Sequence, residues 1–235
     1  MIAAAAALLL AHLVGDFVLQ TDWVWRNKRR LWGLLLHGAI HAALVLAALG
    51  PWIAAGDLAT ATSLRVAAAV GYLHILIDAV KTRGPAAYRT SWWGFVIDQA
   101  LHVVSLAAVL WWSGLTLEGH GALARIYLGL AALVAAGPGL MHLIPMLLPQ
   151  RDDRPEGAVG AGRRIGVLER WLALLFVAIG QPAALAFILA AKSLARFDQL
   201  KERRFAEDYL VGTLASMLGA VAVGIVLRVA WYAAP

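Results

Sequence analysis

Residues 8–20 read LLLAHLVGDFVLQ, an apolar run long enough to belong in a membrane helix, yet it carries His12 and Asp16 four residues apart. Residues four apart lie on one helical face, one turn above the other. Gln20, four further on, continues that stripe. An ionisable side chain at bilayer depth costs roughly 2.5–3.5 kcal/mol on insertion scales, so such a pair marks a functional or tightly partnered site. Three later apolar runs repeat the device, as His37/His41, His74/Asp78 and Asp98/His102. With only 7 His in the chain, chance pairing of His and Asp at this spacing gives about one pair. Four pairs in four successive helices point to one shared polar site.

The remaining composition sets the frame for these pairs. Of 235 residues 62% are apolar and only 14% charged, against about 25% charged in soluble domains. This excludes an ordinary soluble domain and predicts an all-α, polytopic membrane helix bundle. Cysteine is absent, so disulfides, thiolate ligands and cysteine nucleophiles are excluded. The net charge of +6 sits between hydrophobic runs. It reads as a topology signal and a contact with anionic headgroups rather than a nucleic-acid surface. The N-terminus lacks the basic region of a signal peptide, and the first run is expected to be retained as a span. The expected location is a bacterial-type inner membrane, with membrane lipid as partner, no nucleic acid, and a homo-oligomer compatible with the sequence.

At about 20 apolar residues per span, the chain offers about seven hydrophobic segments: 2–19, 33–50, 64–80, 92–113, 122–148, 166–191 and 208–231. Arg26, Lys28, Arg29 and Arg30 follow the first segment, and Lys81, Arg83 and Arg89 follow the third. The positive-inside rule makes those connections cytoplasmic and the N-terminus external. All four pairs then fall at one depth, towards the cytoplasmic face. Residues 1–113 read as a four-helix core carrying the pairs, and 114–235 as a C-terminal membrane region. In the latter, Gly137-Pro138-Gly139 and Pro145 predict a kink or break. A polar, Gly-rich connection is expected near 149–165. The basic stretch 192–204 lands outside by simple counting, against the rule. A break at Gly180-Gln181-Pro182 is the favoured resolution. Gly212, Ser216 and Ala220 form a small-residue face suited to close helix packing.

The ligand pool is His12, Asp16, His37, His41, His74, Asp78, Asp98 and His102, with Asp16, Asp78 and Asp98 as candidate catalytic carboxylates. Imidazole and carboxylate without sulfur suit a divalent metal, zinc first, with iron or manganese as alternatives. Eight donors suit two ions about 3.5–4 Å apart, or one ion with an outer shell. Gln20 and Gln99 are candidate outer partners or simple interhelical hydrogen bonds. His120 reads as a solvated loop residue, His142 as unrelated to the site, Asp22 as a helix-end residue, and the Trp clusters as interfacial anchors. Neither a Walker lysine loop nor Gly-x-Ser-x-Gly occurs.

The ordered runs AHLVGDFVLQTDW, LLLHGAIHA, HILIDAVK and IDQALH resemble an uncharacterised bacterial integral-membrane family, domain-of-unknown-function family 3307, over residues 8 to about 110. GVLERW and AKSLARF…FAEDYLVGTLAS look like the C-terminal region of longer members and single out Glu169, Arg170, Lys192, Ser193, Arg196, Glu207 and Gly212. The resemblance implies a membrane protein and no particular activity. The HxxxD pattern is also similar to that of small membrane proteins described as metal-dependent hydrolases, an analogy between patterns. The expectation is a membrane-embedded metal-dependent hydrolase acting on a lipid or lipid-linked substrate near the cytoplasmic leaflet. A bound ion would activate water and polarise a carbonyl or phosphoryl group. The rivals are a di-iron membrane oxidase, a metal or proton transporter, and a non-catalytic scaffold. The apolar outer halves of the second and fourth spans weigh against a transporter.

Overall fold

A computed structural model describes residues 1–148 and 156–234, and every regular element among them is helical. The helices are α1 (Ile2–Phe17), α2 (Asp22–Asn27), α3 (Leu31–Ala55), α4 (Thr60–Arg83), α5 (Ala86–Thr90), α6 (Trp92–Ser113), α7 (Gly121–Val134), α8 (Leu140–Met146), α9 (Glu156–Ala178), α10 (Leu185–Ala195) and α11 (Arg203–Ala233). Their ends follow local chemistry. Thr21 and Ser91 cap α2 and α6 by accepting the N–H of Val24 and Gly94. Gly56 and Gly114 close α3 and α6 in the left-handed region.

Among the described residues, five helical stretches are long and apolar enough to cross a membrane: Leu31–Ala55, Thr60–Arg83, Trp92–Ser113, Gly121–Met146 and Arg203–Ala233. The expected count of about seven is not confirmed: two further apolar helices, Ile2–Phe17 and Pro182–Ala195, are shorter. With 16 residues, α1 is about 24 Å long, short of the hydrocarbon thickness. Segment 166–191 is divided at Gly180, whose φ of 76° takes the chain out of α9. Residues 149–155 of the expected polar connection lie outside the described residues. From Glu156 onward that run is already α9, since a glycine costs a helix only about 1 kcal/mol and packing outweighs it.

The chain divides into two compact units, Met1–Ala131 with Trp231–Pro235, and Ala132–Ala230. In the first, α1 packs on α3 and α6, and α4 packs on the same two helices. The four helices therefore close a ring in the order α1–α3–α4–α6. One half of its interior is dry and apolar, filled by Ala4, Leu8, Val45, Leu49, Trp52, Val66 and Leu106. The other half, at the end bearing the basic connections, holds the His/Asp pairs. Gly38 and Gly71 let α3 and α4 approach closely: a Cβ on Gly71 would stand 2.8 Å from the Gly38 carbonyl oxygen.

In the second unit the Gly-Pro-Gly stretch does not break its helix. It widens into a π-helical turn, Ala135–Gly139, where Leu140 N–H donates to Ala135 O five residues back. Pro138 has no N–H to give. The buried Arg170 caps the opened turn, donating through Nε to Ala136 O (2.5 Å) and through Nη2 to Gly137 O (3.1 Å). Trp171 Nε1 donates to Leu133 O at 2.9 Å. The expected break at Gly180-Gln181-Pro182 is present. After it α10 folds back along α9, bringing Lys192 Nζ to within 2.5 Å of Glu169 Oε2 and Leu185 and Ile188 onto Ala173. The basic stretch thus returns towards the end at which α9 begins. Ser193 meets Tyr209, while Arg196 and Glu207 form exposed local bonds. The buried stripe of α11 is Thr213, Ser216, Met217, Ala220 and Gly224, with Gly212 at its edge.

Gly71→Ala is expected to lower stability by about 1–3 kcal/mol, because the facing atom is backbone and cannot move aside alone. Thermal unfolding in detergent followed by circular dichroism checks this. An unchanged melting temperature would show that α3 and α4 do not depend on the approach.

Candidate metal centre

Each pair sits where its helix enters the polar half of the ring. His12 and Asp16 occupy the last turns of α1; His37 and His41 the first turns of α3. His74 and Asp78 lie in the last turns of α4, and Asp98 and His102 in the first turns of α6. All eight are buried. The antiparallel alternation around the ring turns four separate pairs into one layer.

Asp16 is the centre of that layer. Its Oδ1 accepts from His37 Nε2 at 3.1 Å and lies 3.3 Å from both His41 Nε2 and His74 Nε2. His37 and His41 Nε2 are 3.2 Å apart. Around a tetrahedral zinc with bonds of about 2.0–2.1 Å, neighbouring donor atoms stand about 3.3 Å apart, so these separations match the edges of such a shell. His74 Nε2 is buried and makes no hydrogen bond among the described residues, a lone donor atom facing the other three. The donor set therefore fits a divalent ion. The rings of His41 and His74 stack with centroids 3.5 Å apart, closer than the roughly 5 Å of two imidazoles sharing one tetrahedral ion.

Two further groups adjoin the first: His12, Asp16 and His102, and His74, Asp78 and His102. His102 donates Nδ1–H to the Asp98 carbonyl oxygen at 2.9 Å. In the neutral ring this leaves a lone pair on Nε2, which is buried and unpaired among the described residues. The second oxygen of Asp16 accepts from Gln99 Nε2 at 3.0 Å and lies 3.9 Å from His12 Nε2, and His12 in turn donates to Gln99 Oε1 at 3.2 Å. Asp16 thus faces two donor groups with its two oxygens.

The other carboxylates have cationic partners. Lys28 Nζ lies 2.8 Å from Asp78 Oδ2, and Lys81 Nζ 2.6 Å from Asp98 Oδ2. Asp98 belongs to none of the three donor groups, whereas Asp78 Oδ2 stays 3.6 Å from both His37 and His74 Nε2.

The family described as Protein of unknown function (DUF3307) matches residues 5–122. The chain belongs to this family. The match runs from the start of α1 to beyond α6, so the complete His/Asp layer lies within the DUF3307 region, while α8 to α11 and the pieces containing Glu169, Arg170 and Lys192 lie outside it. No curated protein and no solved structure matches the chain.

Several residues of the DUF3307 centre escaped the sequence reading. Lys28 was assigned to a topology loop, yet it is only 6% exposed because α2 folds it inward. Gly15 gives no chemical signal, but a Cβ there would lie 2.4 Å from His41 Cε1; its missing side chain is the space His41 uses. Gln99, a candidate outer partner or interhelical hydrogen bond, bonds to Asp16, Asp98 and His12. Gln20 does not extend the stripe, because α1 ends at Phe17. His120 is paired with Asp57 at 3.1 Å and packs on Trp52 rather than being merely solvated. His142 bonds the Pro138 carbonyl in the other unit, and Asp22 opens α2 as a helix-end residue.

Lys28→Met is expected to cost about 3–5 kcal/mol, because it leaves Asp78 buried without its cation. Most of that loss should return in the double variant Lys28→Met/Asp78→Leu, with thermal denaturation in detergent as the measurement. Equal melting temperatures for wild type and Lys28→Met would contradict the ion pair. Gly15→Ala should displace the His41 ring and cut bound metal to a small fraction of the wild-type content, while the fold is retained by circular dichroism. Full metal content in Gly15→Ala would remove His41 from the ligand set.

Proposed function

We propose that this protein is a membrane-embedded, metal-dependent hydrolase acting on a lipid or lipid-linked substrate near the cytoplasmic leaflet. The observation that carries the reading is the convergence of three imidazoles on one oxygen of Asp16, with His12, Gln99 and His102 on its other side. A divalent ion held by these residues would supply Lewis acidity and a coordinated water of lowered pKa. His37, His41, His74 and Asp16 would hold the first ion, and His12, His102 and the second Asp16 oxygen a further one. Asp78 Oδ2 would be the carboxylate that accepts a proton, since it borders His37 and His74 without belonging to the four-atom shell and is held by Lys28 at 2.8 Å. Asp98 positions Lys81 and Gln99.

The sealed apolar half of the ring supports a hydrolase over a transporter, since a pathway would need polar groups through the full depth. A second reading has one specific support. Four protein donors complete a tetrahedral shell, as in structural zinc sites, and an ion there would tie α1, α3 and α4 together without chemistry.

Metal analysis of untagged, detergent-purified protein by inductively coupled plasma mass spectrometry is the test. One or two equivalents of zinc or manganese are expected, absent from a folded His37→Ala/His74→Ala variant. Iron would favour the oxidase. No metal after reconstitution would overturn the hydrolase. Asp78→Asn separates the two metal readings: it should keep its metal and lose hydrolysis of lipid esters or phosphates, whereas a purely structural ion predicts no turnover to lose.

A further inference from the structure

We infer that the site takes an anionic phosphate ester rather than a neutral ester; this deepens the hydrolase reading and rests on it. The argument is charge balance in a buried place. Asp16, Asp78 and Asp98 bring three negative charges to the layer, and Lys28 and Lys81 bring two positive ones. Among the described residues no other charged side chain forms an ion pair with these five. The carboxylates therefore outnumber the lysines by one. Two divalent ions would leave the layer cationic by three charges, or by two beside one metal-bound hydroxide. Low-dielectric surroundings penalise that excess. A neutral carboxylic ester leaves it in place, while a phosphate oxyanion cancels part or all of it.

The lysines also sit where such a ligand would arrive. Lys28 is the C-cap of α2, and Lys81 lies in the last turn of α4, both at the end of the ring that carries the basic connections. The Lys81 side chain is 23% exposed, more than Lys28 or any of the three carboxylates. An ammonium is a compact donor for phosphate oxygens. If Lys81 turns towards a phosphate, Asp98 is not abandoned, because Gln99 Nε2 still donates to its Oδ2 at 3.3 Å. Asp98 is in this view a parking partner for Lys81, which accounts for its absence from the three donor groups.

The experiment uses full-length protein in detergent, with bound metal quantified first, and follows equilibrium binding of radiolabelled inorganic phosphate. Saturable, metal-dependent binding is expected. Lys81→Met should weaken it by about tenfold or more, the loss of one charge-assisted hydrogen bond. Lys81→Arg should recover part of it, and metal content in both variants should match wild type. Competition by phosphatidic acid in mixed micelles, with diacylglycerol as the neutral control, identifies a lipid phosphate as the ligand. Displacement by free phosphate alone assigns an aqueous phosphate ester of the same chemistry. Metal-loaded protein that binds no phosphate, or that binds it equally well in Lys81→Met, overturns the substrate class and leaves the hydrolase reading intact. Protein that takes up no metal overturns both.

Discussion

A carboxylate buried among apolar helices has to find inside the protein what water would otherwise supply, and Asp16 is where this chain meets that demand. One oxygen is surrounded by His37, His41 and His74, and the other is held by Gln99 beside His12. Two of these partners come from α3, one from α4, one from α6 and one from α1 itself, so the carboxylate ties the four helices together. The same demand explains Lys28 and Lys81. Asp78 and Asp98 are buried too, and an uncompensated buried charge is far more destabilising than an imperfect pair.

Meeting that demand requires helices that come close enough for short side chains to touch. Gly38 and Gly71 bring the backbones of α3 and α4 together, and Gly15 leaves room on α1 for the His41 ring. The polar layer is then confined by the packed apolar half of the ring above it. That division of the interior, polar at one end and dry at the other, is what a site facing one leaflet needs. It also concentrates the electrostatics, since the low-dielectric surroundings strengthen each interaction within the layer.

The second unit applies the same rule to backbone. A π-helical turn forms around Pro138, and Arg170 and Trp171 on α9 donate to three carbonyl oxygens in and beside it, those of Ala136, Gly137 and Leu133. Glu169, the neighbour of Arg170, is matched by Lys192 on the returning α10. After the break at Gly180, α10 folds back along α9, so the basic stretch returns towards the end at which α9 begins. Polar residues in apolar helices thus read as partners of one another in both units.

The sequence by itself determined that the chain is a bundle of apolar helices, that His and Asp recur in four of them at i,i+4, and that these pairs share one depth. Those facts follow from composition, helical periodicity and the charge of the connections, which are all local. The break at Gly180 was legible for the same reason. The shortness of α1 was not, because its end depends on how residues 18–20 leave the bundle. The order α1–α3–α4–α6, the central place of Asp16, and the pairing of Lys28 with Asp78 and Lys81 with Asp98 were decided only by tertiary structure. Periodicity states which face of a helix is polar but not which helix it meets. A lysine in a basic loop looks like a topology signal until the short helix α2 is seen to turn it inward. Glycines 15, 38 and 71 act through the space they leave, and space exists only once a second helix is there to fill it.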